Sequence, residues 1–228
     1  MVTMETAGKR RRYHHGDLAS ALQATALAII GEKGVGGVTL AEAARRAGVS
    51  HAAAYRHYAS LQALLVATAE SCYDQWNRRR AHRPFDTPDA RGEILALLHD
   101  YFALARDETA AFALIFDSDI QRLSTVIAGY GQRDYQRFLS MVARATGVRP
   151  ERCHVVALGI MATVLGHVRM SLDGMSMLSM DQAADAAAQA VQMLLTGFAE
   201  NQRTVGSSSG GESDCAPSKR RPSRSASG

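Results

Sequence analysis

The chain has 228 residues, 46% hydrophobic and 21% charged, with a formal net charge of +4 at pH 7. This length and composition describe a globular protein of one large or two small domains and exclude a fibrous or wholly disordered chain. No run of about 18 uncharged apolar residues marks a membrane span, and no apolar stretch follows the N-terminal basic run as it would in a signal peptide.

Three widely spaced cysteines, Cys72, Cys153 and Cys215, fit free thiols in a reducing cytoplasm better than a disulfide framework. The charge is unevenly spread. Residues 1–60 hold 8 Lys/Arg against 4 Asp/Glu, residues 61–202 hold 13 against 16, and residues 203–228 hold 5 against 2. Basic ends around a slightly acidic middle point to nucleic acid at the ends and to another task between them.

In chain order, residues 1–15 show no apolar period and read as a flexible basic arm. Leu18, Leu22, Ala26, Ile29 and Ile30 then fall at helical spacing until Gly34, Gly36 and Gly37 stop the helix. Thr39, with Glu42 three residues on, is a capping-box start for a second helix ending near Arg46. Gly48 supplies the turn. Ser50 caps a third short helix through Tyr58, and Ser60 caps a long one toward Arg80. Further helices are expected near 88–106, 109–116, 119–146, 150–172 and 181–201, with Gly147, Pro150, Gly174 and Asp181 at the joints. No segment alternates like a strand, so the fold class is all-α. Residues 203–228 cannot bury enough apolar surface to order themselves and read as a disordered basic tail.

Two short helices joined through Ala47-Gly48-Val49 make a helix-turn-helix unit, whose second helix enters the DNA major groove by its N-terminal residues. Ala43, Ala44, Ala47 and Ala54 are small enough to let the pair cross closely. His51 and Arg56 can donate to guanine, and Ala52 and Ala53 can touch a thymine methyl. Thr39, Tyr55 and His57 are placed for phosphates, with Ser50 capping the entrance to the groove. Lys9, Arg10, Arg11 and Arg12 can cross the backbone or enter the minor groove. Helix pairs with a glycine between them are common and usually bind nothing. The adjacent basic arm and the polar Tyr55-Arg56-His57 run favour DNA.

These residues also resemble a known family. "VTLAEAARRAGVSHAAAYRHYASLQALL" is similar to the DNA-binding signature of TetR-type transcriptional regulators, and "YHHGDLASALQATALAII" to the first helix of one of its subgroups. The likeness covers residues 13–69. It implies phosphate contacts at Thr39, Tyr55 and His57, base-facing His51, Ala52 and Ala53, Arg56 at the groove edge, and Ala54 and Tyr58 packed inside. The family usually carries a phosphate-gripping lysine at the start of helix four, where this chain has Leu61. One lost contact predicts weaker binding unless the arm, Arg45 or Arg46 compensates.

The expected organisation is an arm (1–15), a three-helix helix-turn-helix domain (16–60), a larger helical regulatory and dimerisation domain (61–202), and a tail (203–228). A helix-turn-helix monomer reads only a half-site, so a homodimer on a double-stranded operator is expected. The last two helices are the candidate interface, through Val164, Val168, Val191, Leu194, Leu195 and Phe198, as a four-helix bundle. The resemblance implies the same bundle and an apolar small-molecule pocket among the middle helices. Candidate lining residues are Trp76, Phe102, Phe112, Phe116, Met161 and His167.

No nucleophile elbow, phosphate loop, paired carboxylates or metal-ligand spacing occurs. The expectation is a non-enzymatic cytoplasmic regulator, more often a repressor in that family, with no metal or cofactor. The alternatives are an architectural or silencing DNA-binding protein without ligand input, and a helical ligand carrier with a vestigial helix-turn-helix.

Overall fold

A computed structural model describes residues 15–81 and 87–208 of the chain, with side chains detailed for 18–81 and 87–204. Every regular element among them is helical: α1 (His15–Lys33), α2 (Leu40–Arg46), α3 (His51–His57), α4 (Leu61–Arg80), α5 (Ala90–Asp107), α6 (Thr109–Ile115), α7 (Ser118–Leu123), α8 (Thr125–Thr146), α9 (His154–Leu172) and α10 (Met180–Ser208).

Local chemistry sets most of the ends. The Thr39 hydroxyl accepts from the Glu42 amide at 3.2 Å, Ser50 from Ala53 at 3.1 Å and Ser60 from Ala63 at 3.1 Å, so each helix start satisfies an otherwise orphaned N–H. Gly48 adopts φ +70°, a left-handed turn that other residues rarely take. The reciprocal half of the expected capping box is absent, because the Glu42 carboxylate takes Arg45 and Arg46 instead.

One expected helix is two. Asp117 caps α7 through the amides of Asp119 and Ile120 (2.9 and 3.0 Å). Ser124, buried between α7 and α8, turns extended, caps α8 through Ile127 at 3.0 Å and donates to Glu70 of α4 at 2.6 Å. At the other end, α10 runs past the expected stop at Asn201.

The buried side chains form one connected core from Leu22 to Leu195. Leu22, Ala26, Ile29 and Ile30 of α1 share a face and pack toward α2 and α4, while α2 crosses α3. The long α4 runs from this head into the body, meeting α6, α7 and α8. In the body α5 lies against α8, α9 and α10, and α9 and α10 make the most extensive pairing. The buried run Ala183, Ala184, Ala187, Val191, Leu195 and Ala199 gives α10 a narrow inner face that allows this approach.

Candidate nucleic-acid interface and effector cavity

Helix α3 is built to be held from behind and used from the front. Ala54 is fully buried and Tyr58 nearly so, and the Tyr58 hydroxyl accepts from Gln23 of α1 at 2.9 Å. That bond ties the C-terminal end of the short helix to α1, while α3 packs along α2. On the opposite side His51, Ala52 and Arg56 are exposed, Ala53 and His57 are half-buried, and Tyr55 keeps 48% of its surface in solvent. The His51 and Tyr55 rings meet edge-on at 4.7 Å, which positions both across the helix entrance. Exposed Thr39 uses its oxygen as a cap, so its hydroxyl proton is free for a phosphate. Thr39, Ser50, His51, Ala52, Ala53, Tyr55, Arg56 and His57 thus all lie on the α2–α3 pair and its caps. Lys9, Arg10, Arg11 and Arg12 lie outside the described residues, as do His82, Cys215 and the basic run near the C-terminus.

The suggested substitutes for the helix-four lysine are largely committed elsewhere. Arg46 donates to Glu32 of α1 (2.7 and 2.8 Å) and to Glu42 (2.8 Å), and Arg45 donates twice to Glu42 at 2.8 Å. These hydrogen bonds, Arg45 first and then Arg46, pull the Glu42 carboxyl down to about 2. The network fixes α2 to the end of α1 and engages three of the five Arg46 N–H groups. Leu61 itself is half-buried against the core.

The body contains a cavity of about 360 Å³ among α4, α5, α8 and α9, with Phe116 and Gln121 also in its wall. That size is in the range of small-molecule sites. Its walls are mostly aliphatic and aromatic, and α8 contributes a continuous face from Ile127 through Gly131 and Asp134 to Phe138. Of the six residues expected to line it, Phe116 and Met161 do. Trp76 stands one layer behind, edge-on to Tyr101 at 5.0 Å and to Phe116 at 6.4 Å. Phe112 packs on Phe116 at 4.7 Å, Phe102 is buried in the core, and His167 is turned onto the Thr163 carbonyl of its own helix at 2.8 Å. Aromatic content marked the region but not which faces of the helices turn inward.

Sequence reasoning missed the polar part of the cavity. Tyr73 donates its hydroxyl to Asp134 Oδ2 at 3.0 Å, and burial pushes the Tyr73 hydroxyl well above its ordinary value. Burial likewise raises Tyr101 to about 12, with the nearby Arg80 charge acting against it. Arg80 lies over the Trp76 ring at 4.2 Å. The spacing of Tyr73, Trp76 and Arg80 along α4 carries this signal, but nothing in the run Arg78-Arg79-Arg80 singles out the last.

The expected dimer residues divide between two environments. Val168, Val191 and Leu195 are buried within one chain and Val164 is buried on the wall of the cavity, so none of the four is available to a partner; Phe198 is half-buried. The outer apolar surface of these helices consists instead of Val155 (81% exposed), Leu158 (56%), Met170 (47%), Met193 (74%) and Leu194 (37%). By length and composition α9 could cross a bilayer, with a mean hydropathy of 1.7, yet only 28% of that window is buried in the chain. The pattern that the sequence shows as apolar on several faces is one face packed inside and another left outside.

Comparison with known proteins fits this architecture. The profile of the family described as "Bacterial regulatory proteins, tetR family" matches residues 22–68. The HTH-type transcriptional regulator BetI of Rhizobium meliloti (strain 1021) is 35% identical over 111 residues, 46% of this chain and 53% of BetI, so the match spans about half of that relative. A solved protein of unknown function from Rhodococcus sp. RHA1 superposes with a TM-score of 0.63 at 28% identity, covering 82% of this chain and 98% of the other. A TetR point variant from Acinetobacter baumannii AYE, in complex with minocycline, shares the fold at a TM-score of 0.57 and 21% identity, over 82% of this chain and 97% of its own. Residues 22–68 thus carry the helix-turn-helix signature of the tetR family of bacterial regulatory proteins, on an all-helical body whose fold is shared with these solved proteins.

Proposed function

We propose that the chain is a homodimeric repressor that reads an inverted-repeat operator with α3 and leaves it when a small apolar molecule fills the body cavity. The carrying observation is the two-sided construction of α3, anchored by Ala54 and Tyr58 and presenting His51, Ala52, Tyr55 and Arg56 outward. A helix held this way enters a major groove without rearrangement. The outer apolar face of α9 and α10 supports pairing of two copies, which sets the distance between two heads. Helix α4 supports the coupling, since it packs on α1 at one end and lines the cavity with Tyr73 and Arg80 at the other. A ligand that favours one tilt of α4 changes head spacing, and by linkage operator DNA disfavours that ligand.

In this reading residues 16–60 bind DNA with help from the basic arm (1–15), residues 61–202 sense and dimerise, and the basic tail (203–228) is a solvated terminus. The protein works in the cytoplasm by binding rather than catalysis. Transcript profiling of cells with and without the chain tests this. A small set of transcripts rising on its loss, with a shared inverted repeat upstream, is the expected result. Scattered small changes without a shared site would instead indicate an architectural protein.

A further inference from the structure

The cavity holds a cation that the chain does not fully use. The Arg80 side chain is only 11% exposed, and its Nη1 is buried with no hydrogen-bond partner. Its nearest carboxylate oxygen, Asp134 Oδ2, is 3.5 Å away and already accepts from Tyr73 at 3.0 Å. A buried guanidinium N–H left without an acceptor is costly, and a small shift of the Arg80 side chain, which lines the cavity, lets a ligand oxygen make a charge-assisted bond to the guanidinium in a low-dielectric setting. The Trp76 face, the natural seat for a ligand cation, is already covered by the Arg80 guanidinium at 4.2 Å. Asp134, the one carboxylate of the lining, is engaged by Tyr73 and screened by Arg80. The remaining wall, including Leu97, Phe138 and Met161, is apolar.

We infer that the cavity takes an apolar monocarboxylate, its carboxylate on the Arg80 guanidinium and its hydrocarbon body along α8 and α9. This rests on the reading of the cavity as an effector site and names the effector's chemical class. The acid can be aliphatic or aromatic; both offer the same head to Arg80.

The test uses the full chain and its single tryptophan, Trp76, which touches Arg80 and responds to occupancy. Decanoate, phenylbutanoate, decanol and decyltrimethylammonium are titrated below their micellar concentrations. At least one carboxylate should bind about tenfold or more tighter than the alcohol and the ammonium. Arg80→Met should erase that preference. Asp134→Asn, which removes the competing negative charge and keeps an acceptor for Tyr73, should strengthen carboxylate binding. Equal affinities, a preference for the ammonium, or no binding by any probe overturns the inference, and the wild-type series alone decides this if Arg80→Met does not fold. A parallel measurement of operator binding separates the two claims. Carboxylate binding without DNA release keeps the ligand class and defeats the ligand-released repressor, whereas release by the ammonium does the reverse.

Discussion

Leu194 and Leu195 are neighbours in sequence and opposites in structure, and charging each in turn separates the face packed inside the chain from the face proposed to meet a second copy. Leu195 is fully buried. Leu195→Glu forfeits about 1.5–3 kcal/mol of apolar burial and strands a carboxylate in the core at a cost of several kcal/mol more. That approaches the roughly 5–15 kcal/mol stability of a whole domain, so the variant should lose its cooperative melt. Leu194 keeps 37% of its surface exposed and Leu158 keeps 56%, so together they offer a partner nearly one leucine's worth of burial. Counted in both copies, this is about 3–6 kcal/mol of association free energy, or about a hundred- to ten-thousandfold in the dimer dissociation constant. Leu158→Glu/Leu194→Glu should therefore sediment as a monomer across a concentration series while retaining the helical melt of the wild type. A double variant that stays dimeric with its fold intact would refute the α9/α10 interface. A Leu195→Glu protein that melts like the wild type would refute the assignment of the inner face.

Other substitutions probe the DNA-facing end and the body separately. Arg56→Ala should relax base preference at one position of each half-site by about 1–3 kcal/mol, whereas Tyr55→Phe should weaken all duplexes alike; competition binding against point-substituted sites distinguishes them, and the opposite pattern would overturn the docking. Leu61→Lys adds a cation at the start of α4 and should steepen the salt dependence of binding by about one charge, read from affinity at several ionic strengths; an unchanged slope would mean that this end of α4 faces away from the backbone. The Glu93 carboxyl, held at about 2 chiefly by Arg144 and also by Thr87, binds the start of α5 to the end of α8. Because its folded value lies below the ordinary 4.5, its stabilisation is present above that pH and lost as pH falls from about 4.5 toward about 2. Glu93→Gln should lower the melting temperature at neutral pH and narrow the gap from wild type across that acid window; an equal gap at both ends would remove Glu93 from the acid response.

What could be read from the sequence was what short-range chemistry decides. Thr39, Ser50 and Ser60 act as caps and Gly48 as a turn because each depends only on residues within a few positions. The recognition helix was legible for the same reason: small residues inside and polar ones outside repeat within two turns. The rest depends on distant partners. Ser124 breaks a helix because Glu70, 54 residues away, accepts its hydroxyl proton. Arg46 is drawn off by Glu32 across a 14-residue gap. Helices α9 and α10 are apolar on several sides, so their sequences do not tell inner valines from outer ones. In the cavity, aromatic residues at helical spacing pointed to the right region, yet Arg80 and Asp134 become neighbours only through the packing of α4 on α8.

The central claim, a paired and sequence-specific reader of DNA, is tested most directly by selecting a random duplex library on the purified full-length chain at near-physiological salt and sequencing the bound pool. The account predicts enrichment of one inverted repeat, with half-sites separated by the distance between two α3 helices in the dimer. A pool that remains random, with binding only at low salt, would contradict it.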